Sequence, residues 1–233
     1  MARISLAIRR FGLNRARLIL TLTERGWTWL TEHYETSGTQ HLRMTTLVDC
    51  NRFSSTHFTV PPEPFRLVLL GAESPFYDYD VMADFVGALK ALRPVECVWF
   101  TSHATSARLK DQATRIRALA HEEVPRLLRE FHAGLCISRF DAGESLLAAA
   151  PTKVGELLAS GRAVIVNARL CDYDDFLAQK GAGVTLERSA QDLIRLLEDP
   201  GTAKRCRDLA ARYVCSTTET ERLARAYERL VSE

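Results

Sequence analysis

The chain has 233 residues, enough to bury a substantial core, and its 31 Lys and Arg nearly balance its 29 Asp and Glu; a chain so close to neutral lacks the basic footprint of a nucleic-acid-binding protein. Six cysteines are scattered without a C-x-x-C or a Cys/His ligand pattern, which predicts neither a zinc site nor a disulfide framework and fits reduced thiols in a cytosolic protein. No apolar run is long enough to span a bilayer, so a membrane-spanning helix is not expected, and peripheral membrane contact is left open.

Residues 1–23 hold Arg3, Arg9, Arg10, Arg15 and Arg17 and no acid, as a basic interfacial helix or a transit peptide would. The stretch nevertheless runs without a break into a strand-like segment at 17–23 (RLILTLT). A helix over 25–34 follows, with Trp27 and Leu30 on one side, and a second short strand is expected at 45–48, leading to Asp49, Asn51 and Phe53. Pro61, Pro62 and Pro64 make a stiff linker, the best boundary in the chain, and divide it into units at 1–60 and 61–233.

Beyond the linker the pattern becomes regular. A strand at 66–70 ends in Gly71; then come a helix at 81–92, a strand at 96–100, a short helix at 124–130, a strand at 134–138, a helix at 151–160 and a strand at 163–167. One more strand is a candidate at 181–186, before helices at 190–198, 201–213 and 219–231, the last with Leu223, Tyr227, Leu230 and Val231 as an apolar stripe. Such alternation specifies an α/β fold, a Rossmann-like parallel sheet flanked by helices, with ligands at the carboxyl ends of the strands. The loop Gly71-Ala72-Glu73-Ser74 is not G-x-G-x-x-G, and G-x-x-x-x-G-K-[ST] is absent. A dehydrogenase and a P-loop ATPase or GTPase are therefore disfavoured.

The helix at 151–160 carries the chemistry. Pro151 suits a first helical position, where its missing amide would be unpaired anyway, and Gly161 suits the left-handed residue that ends a helix. The start of such a helix offers open amides and the positive end of its dipole to an anion, and Lys153 adds a cation in the same turn. Glu156 would repel a phosphate it touched, so it is better suited to accept hydrogen bonds from neutral groups such as sugar hydroxyls. Phosphate plus hydroxyls is the chemistry of a nucleotide sugar. The same residues also describe an ordinary amphipathic helix, with Val154, Leu157 and Leu158 facing the sheet and Lys153 and Glu156 as a solvated pair.

Three stretches together resemble a known family. Glu122-Glu123-Val124-Pro125-Arg126-Leu127-Leu128, the strand Gly134-Leu135-Cys136-Ile137-Ser138, and the helix and strand PTKVGELLASG and AVIVN are similar, in that order, to the donor half of retaining GT-B glycosyltransferases of the group 1, family 4 type. The likeness covers about residues 65–231. Upstream, the stretch from Ala16 to Glu24 resembles the last strand of that family's acceptor half, and Val48-Asp49-Cys50-Asn51-Arg52-Phe53 resembles its interdomain V-D-x-x-x-F segment.

The resemblance implies that helix amides and nearby basic groups hold the donor diphosphate, and that the second glutamate of an E-x7-E motif binds the ribose. Glu156 matches that glutamate, and Pro151, Thr152 and Lys153 match the variant that opens with P-x-K. Gly71 and Ala72 fall in the donor-binding glycine loop. Ala148 stands where the first glutamate would be, and Glu144 is nearby but out of register, to serve the sugar hydroxyls or to face solvent. The loop after Gly71 lacks the basic residue of many members and reads Phe76-Tyr77-Asp78, as in members with an aromatic-Tyr-Asp sequence.

By resemblance, Lys153 and Glu156 would assist a retaining hexosyl transfer from a nucleoside-diphosphate sugar, without metal or other cofactor. The acceptor would be a polysaccharide, a glycolipid or a similar molecule, in the cytoplasm or at the cytosolic face of a membrane. Complete members carry a whole acceptor domain before the strand at 17–23, where this sequence has a short remnant. A protein partner that supplies or covers the missing half is expected, or else a noncatalytic remnant working through protein contact. His103, His121 and His132 receive no acid or base role.

Overall fold

The apolar runs become parallel strands because each is buried on both faces. The computed structural model describes residues 11–54, 63–71, 74–168, 170, 172–186, 188 and 190–232. In chain order the elements are β1 (Leu18–Thr21), α1 (Glu24–His33), β2 (Gln40–Arg43), α2 (Cys50–Phe53), β3 (Phe65–Leu70), α3 (Tyr79–Lys90), β4 (Val95–Phe100), α4 (Ala107–Gln112) and β5 (Arg115–Arg117). Then come α5 (Val124–Leu127), β6 (Ala133–Cys136), α6 (Glu144–Ala148), α7 (Thr152–Ala159), β7 (Ala163–Val166), α8 (Tyr173–Lys180), β8 (Gly183–Thr185), α9 (Ala190–Glu198), α10 (Thr202–Tyr213) and α11 (Ser216–Ser232).

Six strands form one parallel sheet in the order β5-β4-β3-β6-β7-β8, while β1 and β2 pair in a separate parallel ribbon. Side chains alternate between the faces of the large sheet with the two-residue period of a strand. Leu67, Leu69, Trp99, Leu135 and Ile165 pack with Met82, Val86 and Leu89 of α3 and Leu193 of α9. Val68, Val98, Val164 and Val166 pack on the other side with Leu157 and Leu158 of α7 and Leu209 of α10. Each fully buried leucine here contributes about 1.5–3 kcal/mol relative to exposure, so α7 is held by its apolar face against the sheet.

The second strand differs from expectation. It lies at Gln40–Arg43, where Gln40 donates to the Arg17 carbonyl and Met44 to that of Thr21 (2.9 and 2.8 Å). Val48 instead makes an isolated parallel bridge with Cys215. That bridge also overturns the expectation for the cysteines: Cys50 and Cys215 form a disulfide, with Cα atoms 5.4 Å apart across a sequence separation of 165. Spacing along the chain gave no hint of the pair, because the fold alone brings the segments together. Cys97, Cys136 and Cys206 are free and buried.

The stripe on the last helix is split. Leu230 is buried with Ala226, whereas Tyr227 and Val231 are exposed. Of the stiff linker, Pro61 and Pro62 lie outside the described residues.

Candidate functional site

The helix α7 begins where three strands end. Pro151 is its cap residue, standing one place before the first helical residue, and its carbonyl accepts from Val154 N–H at 3.0 Å. Gly161 takes the left-handed conformation (φ 72°), and Arg162 N–H closes the turn onto the Leu157 carbonyl at 2.8 Å. The carboxyl end thus follows the capping logic of the sequence, whereas Pro151, expected at the first helical position, stands as the cap one place before it. The Val154 amide is satisfied by the Pro151 carbonyl, and the Thr152 and Lys153 amides ahead of it have no acceptor within the helix.

Lys153 reaches back across the sheet from this first turn. Its Nζ donates to the Leu70 carbonyl at the end of β3 (2.7 Å) and lies 3.8 Å from the centre of the Tyr77 ring. A Cβ built on Gly71, whose φ is 105°, would stand 3.5 Å from the same nitrogen, so glycine gives the ammonium and any ligand close access to the backbone. Burial holds the Lys153 ammonium below its ordinary value, against the opposing field of Glu156.

Glu156 is buried one turn further on. Burial raises its carboxyl above the ordinary range, partly countered by His121, Lys153 and Arg52. It lines a cavity of about 280 Å³ with Lys153, Leu70, Gly71, Thr101, Ser102, Leu119 and His121. Cationic and anionic side chains therefore meet at one opening, with the helix start beside them. That arrangement can receive a phosphate and a hydroxylated group together.

A second cavity, of about 380 Å³, adjoins Pro151 and Tyr77 and is lined also by Ser74, Phe76, Ser138, Ser145 and Ala149. A larger cavity, about 680 Å³, is also lined by Tyr77 and contains neither Lys153 nor Glu156. Several of its polar groups are already engaged: Asp78 caps α3, Ser106 caps α4, Arg108 pairs with Asp84, and Arg139 pairs with Asp141 inside the same lining. Size alone does not mark the chemistry here.

Of the residues named from sequence, Gly71, Lys153 and Glu156 share the smaller cavity, and Pro151 and Thr152 open the helix beside it. Glu144 is exposed at the start of α6 and lines neither cavity beside α7. Ala72 lies outside the described residues. His132 is occupied away from the site, its Nδ1 accepting from Arg66 N–H at 2.9 Å.

Three further groups complete the frame. Tyr77 is held over Lys153 because the segment around it bridges Ser138 as an added antiparallel residue, with Arg139 N–H donating to the Phe76 carbonyl at 2.8 Å. Asn167, fully buried, accepts from Ser138 N–H through Oδ1 (2.9 Å) and fixes the end of β6. Arg52 donates to the His121 carbonyl at 3.2 Å. An aromatic-Tyr-Asp string and a buried Asn at a strand end were the only sequence signals for the first two.

The short N-terminal segment is tied to the same region. Thr23 accepts from Gly26 N–H and donates to the Leu147 carbonyl (2.8 and 2.6 Å), and the Asp172 carboxylate accepts from the amides of Glu24 and Arg25 (2.8 and 3.2 Å). A carboxylate from the loop after β7 thereby caps the start of α1.

This sheet order, with α7 and its neighbours arranged so, is the fold of a Rossmann-like half of GT-B glycosyltransferases. Among solved structures the chain is similar to sucrose-phosphate synthase from Thermosynechococcus elongatus (TM-score 0.71, 12% identity, 99% of this chain and 62% of that one). It is similar also to AviGT4, a glycosyltransferase involved in Avilamycin A biosynthesis (0.68, 20%, 91% and 64%). A third is Anabaena HepE in complex with UDP and glucose (0.66, 13%, 98% and 67%). The chain thus spans about two thirds of the length of these proteins or somewhat less. No family model and no curated protein sequence matches it. Among the described residues no helix is long and apolar enough to cross a membrane.

Proposed function

We propose that the chain binds a nucleoside-diphosphate sugar and forms the donor half of a retaining hexosyltransferase acting on a polysaccharide, a glycolipid or a similar acceptor, in the cytoplasm or at the cytosolic face of a membrane. The observation that carries this reading is the convergence of Lys153, Glu156 and Gly71 on one cavity at the start of α7. In this reading the first-turn amides and the Lys153 ammonium stabilise negative charge as the diphosphate departs, and Glu156 accepts from the ribose hydroxyls. Fixed dipoles and a cation in a partly dry site act strongly on charge that develops during reaction. The likeness in fold to a protein solved with UDP and glucose supports the class of ligand.

Calorimetric titration with UDP, GDP and ADP sugars tests the binding step. Transfer of labelled sugar to a lipid or polysaccharide fraction tests the enzyme. If none of the nucleotides binds at millimolar concentration, the site is misassigned.

A second reading is favoured by the N-terminal segment. Leu20 and Leu22 are exposed beside an open two-stranded parallel ribbon, and α1 buries none of its residues despite Trp27 and Trp29. Parallel pairs are almost always covered on both faces. Accordingly the chain would work by protein contact, with a partner completing this half; size measurement of the purified chain alone and after co-expression with candidate α/β partners tests it.

A further inference from the structure

Residues 46–52 wrap the donor helix, and a disulfide closes the wrapping. Thr46 Oγ1 donates to the Ala150 carbonyl at 2.7 Å, directly before the start of α7. Val48 then packs onto the helix itself, where a Cβ on Gly155 would lie 2.8 Å from its Cγ2. Two residues later Cys50 is bonded to Cys215, and the same crossing is stitched by Val48 N–H to the Val214 carbonyl and Ser216 N–H to the Val48 carbonyl (2.8 and 2.9 Å). Arg52 finishes the strap on the His121 carbonyl, at the wall of the cavity that holds Glu156.

We propose that Cys50–Cys215 is a thiol-exchange site through which a dithiol reductant controls the order of the nucleotide pocket. Oxidised, the bond closes a loop spanning 165 positions and pins the strap against α7; a cross-link over so long a loop removes much of the freedom of the open chain. Cys50 is the more accessible partner, Cys215 being buried. A thiolate of the reductant attacks the Cys50 sulfur; the new sulfur–sulfur bond forms as the bond to Cys215 breaks, and Cys215 leaves as a thiolate and takes a proton. The reductant's second thiolate then attacks its own mixed-disulfide sulfur, releasing Cys50 as a thiol and the reductant as a cyclic disulfide. Two electrons pass from the dithiol to the protein. What remains of the strap is a few single hydrogen bonds and the packing of Val48 and Phe53, so Gly155, Glu156 and the loop carrying His121 lose the one covalent tie of their common support.

The nucleotide arm of the test rests on the function proposed above, and the exchange arm does not. Hydrogen exchange at amides 119–121 and 153–157 of the full chain is compared before and after treatment with a dithiol, with peptide-resolved alkylation reporting Cys50 and Cys215, and UDP binding is titrated in both states. The expected result is protection of both cysteines from alkylation before treatment, faster exchange in both segments after it, about a fivefold or greater loss of UDP affinity, and recovery on reoxidation. The Cys50→Ser/Cys215→Ser variant should match the reduced protein with or without dithiol. Alkylation of both cysteines in the untreated protein, or identical exchange once reduction is verified, overturns the proposal. Should UDP bind neither state while exchange still responds, the nucleotide reading falls and the exchange site stands. If the double variant does not fold, the oxidised and reduced wild-type samples decide alone.

Discussion

The Lys153 ammonium sits 3.8 Å from the centre of the Tyr77 ring while it donates to the Leu70 backbone carbonyl. An aromatic face attracts the cation, yet removal from water opposes it more strongly, and the net result is an ammonium held below its ordinary value. Tyr77 is therefore a cover as much as a partner. Replacing it with Ala should return the Lys153 titration toward 10.5, its ordinary value, whereas Phe should leave it depressed; carbon-13 NMR of the lysine side chain reads the difference.

Removing the cation tests the site directly. Lys153→Met should weaken UDP and GDP binding by about tenfold or more, the loss of one charge-assisted contact to a phosphate. Because a charged group is disfavoured by its burial, the thermal midpoint should hold or rise. Unaltered affinity for both nucleotides would remove Lys153 from the site.

Glu156 predicts a pH signature. Its folded-state carboxyl is raised, so folding favours the protonated form, and the ionised form opposes the fold. That penalty is absent at pH values well below 4.5, appears as the pH climbs from there through the raised folded value, and is complete above it. Glu156→Gln should consequently match or exceed wild type in stability at neutral pH, with the advantage vanishing in acid, while nucleotide binding falls. Denaturant titrations of both proteins across pH 3–8, an order-of-magnitude window about the usual carboxylate range, would show the two curves converging at the acid end. Parallel curves would contradict the assignment.

Gly155 has no space for a side chain. A methyl there would meet Val48 Cγ2 at 2.8 Å and Val214 Cβ at 3.4 Å, both short, branched and buried, so Gly155→Ala should cost about 1–3 kcal/mol. For a chain of this size that corresponds to a fall of about 2–12 °C in Tm, read by calorimetry.

Asp172 joins the two parts of the chain by accepting from the first amides of α1. Asp172→Ala should loosen that helix by about 1–2 kcal/mol, hence about 5–30-fold faster hydrogen exchange over residues 24–33. Exchange in β6 and β7 should stay unchanged.

The sheet was legible because each central strand is a short apolar run between glycines or polar turns, and its parallel order followed from alternation with helices. The elements missed were those whose signal is weak by nature. β5 is the exposed Arg115–Arg117, an edge strand with no buried residue, and α6 has five residues. Within the site, Lys153 and Glu156 were readable because a helix start fixes their spacing. Tyr77 was signalled only by the aromatic-Tyr-Asp resemblance in the loop after Gly71, and Arg52 and Asp172 were not readable as neighbours of this region, since each arrives from a distant segment. The cysteine pair failed for the same reason: its partners are close only after Val48 and Cys215 have been brought side by side.

The contact at Gly155 has a practical meaning for anyone who would cut this molecule down. Val48 precedes the six-stranded sheet and Val214 follows its last strand, yet both press on the same helix position. A fragment starting at residue 61 would keep every strand of the large sheet and every charged group lining the cavity, and would still strip Gly155 of its Val48 contact while Val214 stayed in place. The smallest piece of this polypeptide that keeps α7 packed on both sides accordingly includes both flanks of the sheet.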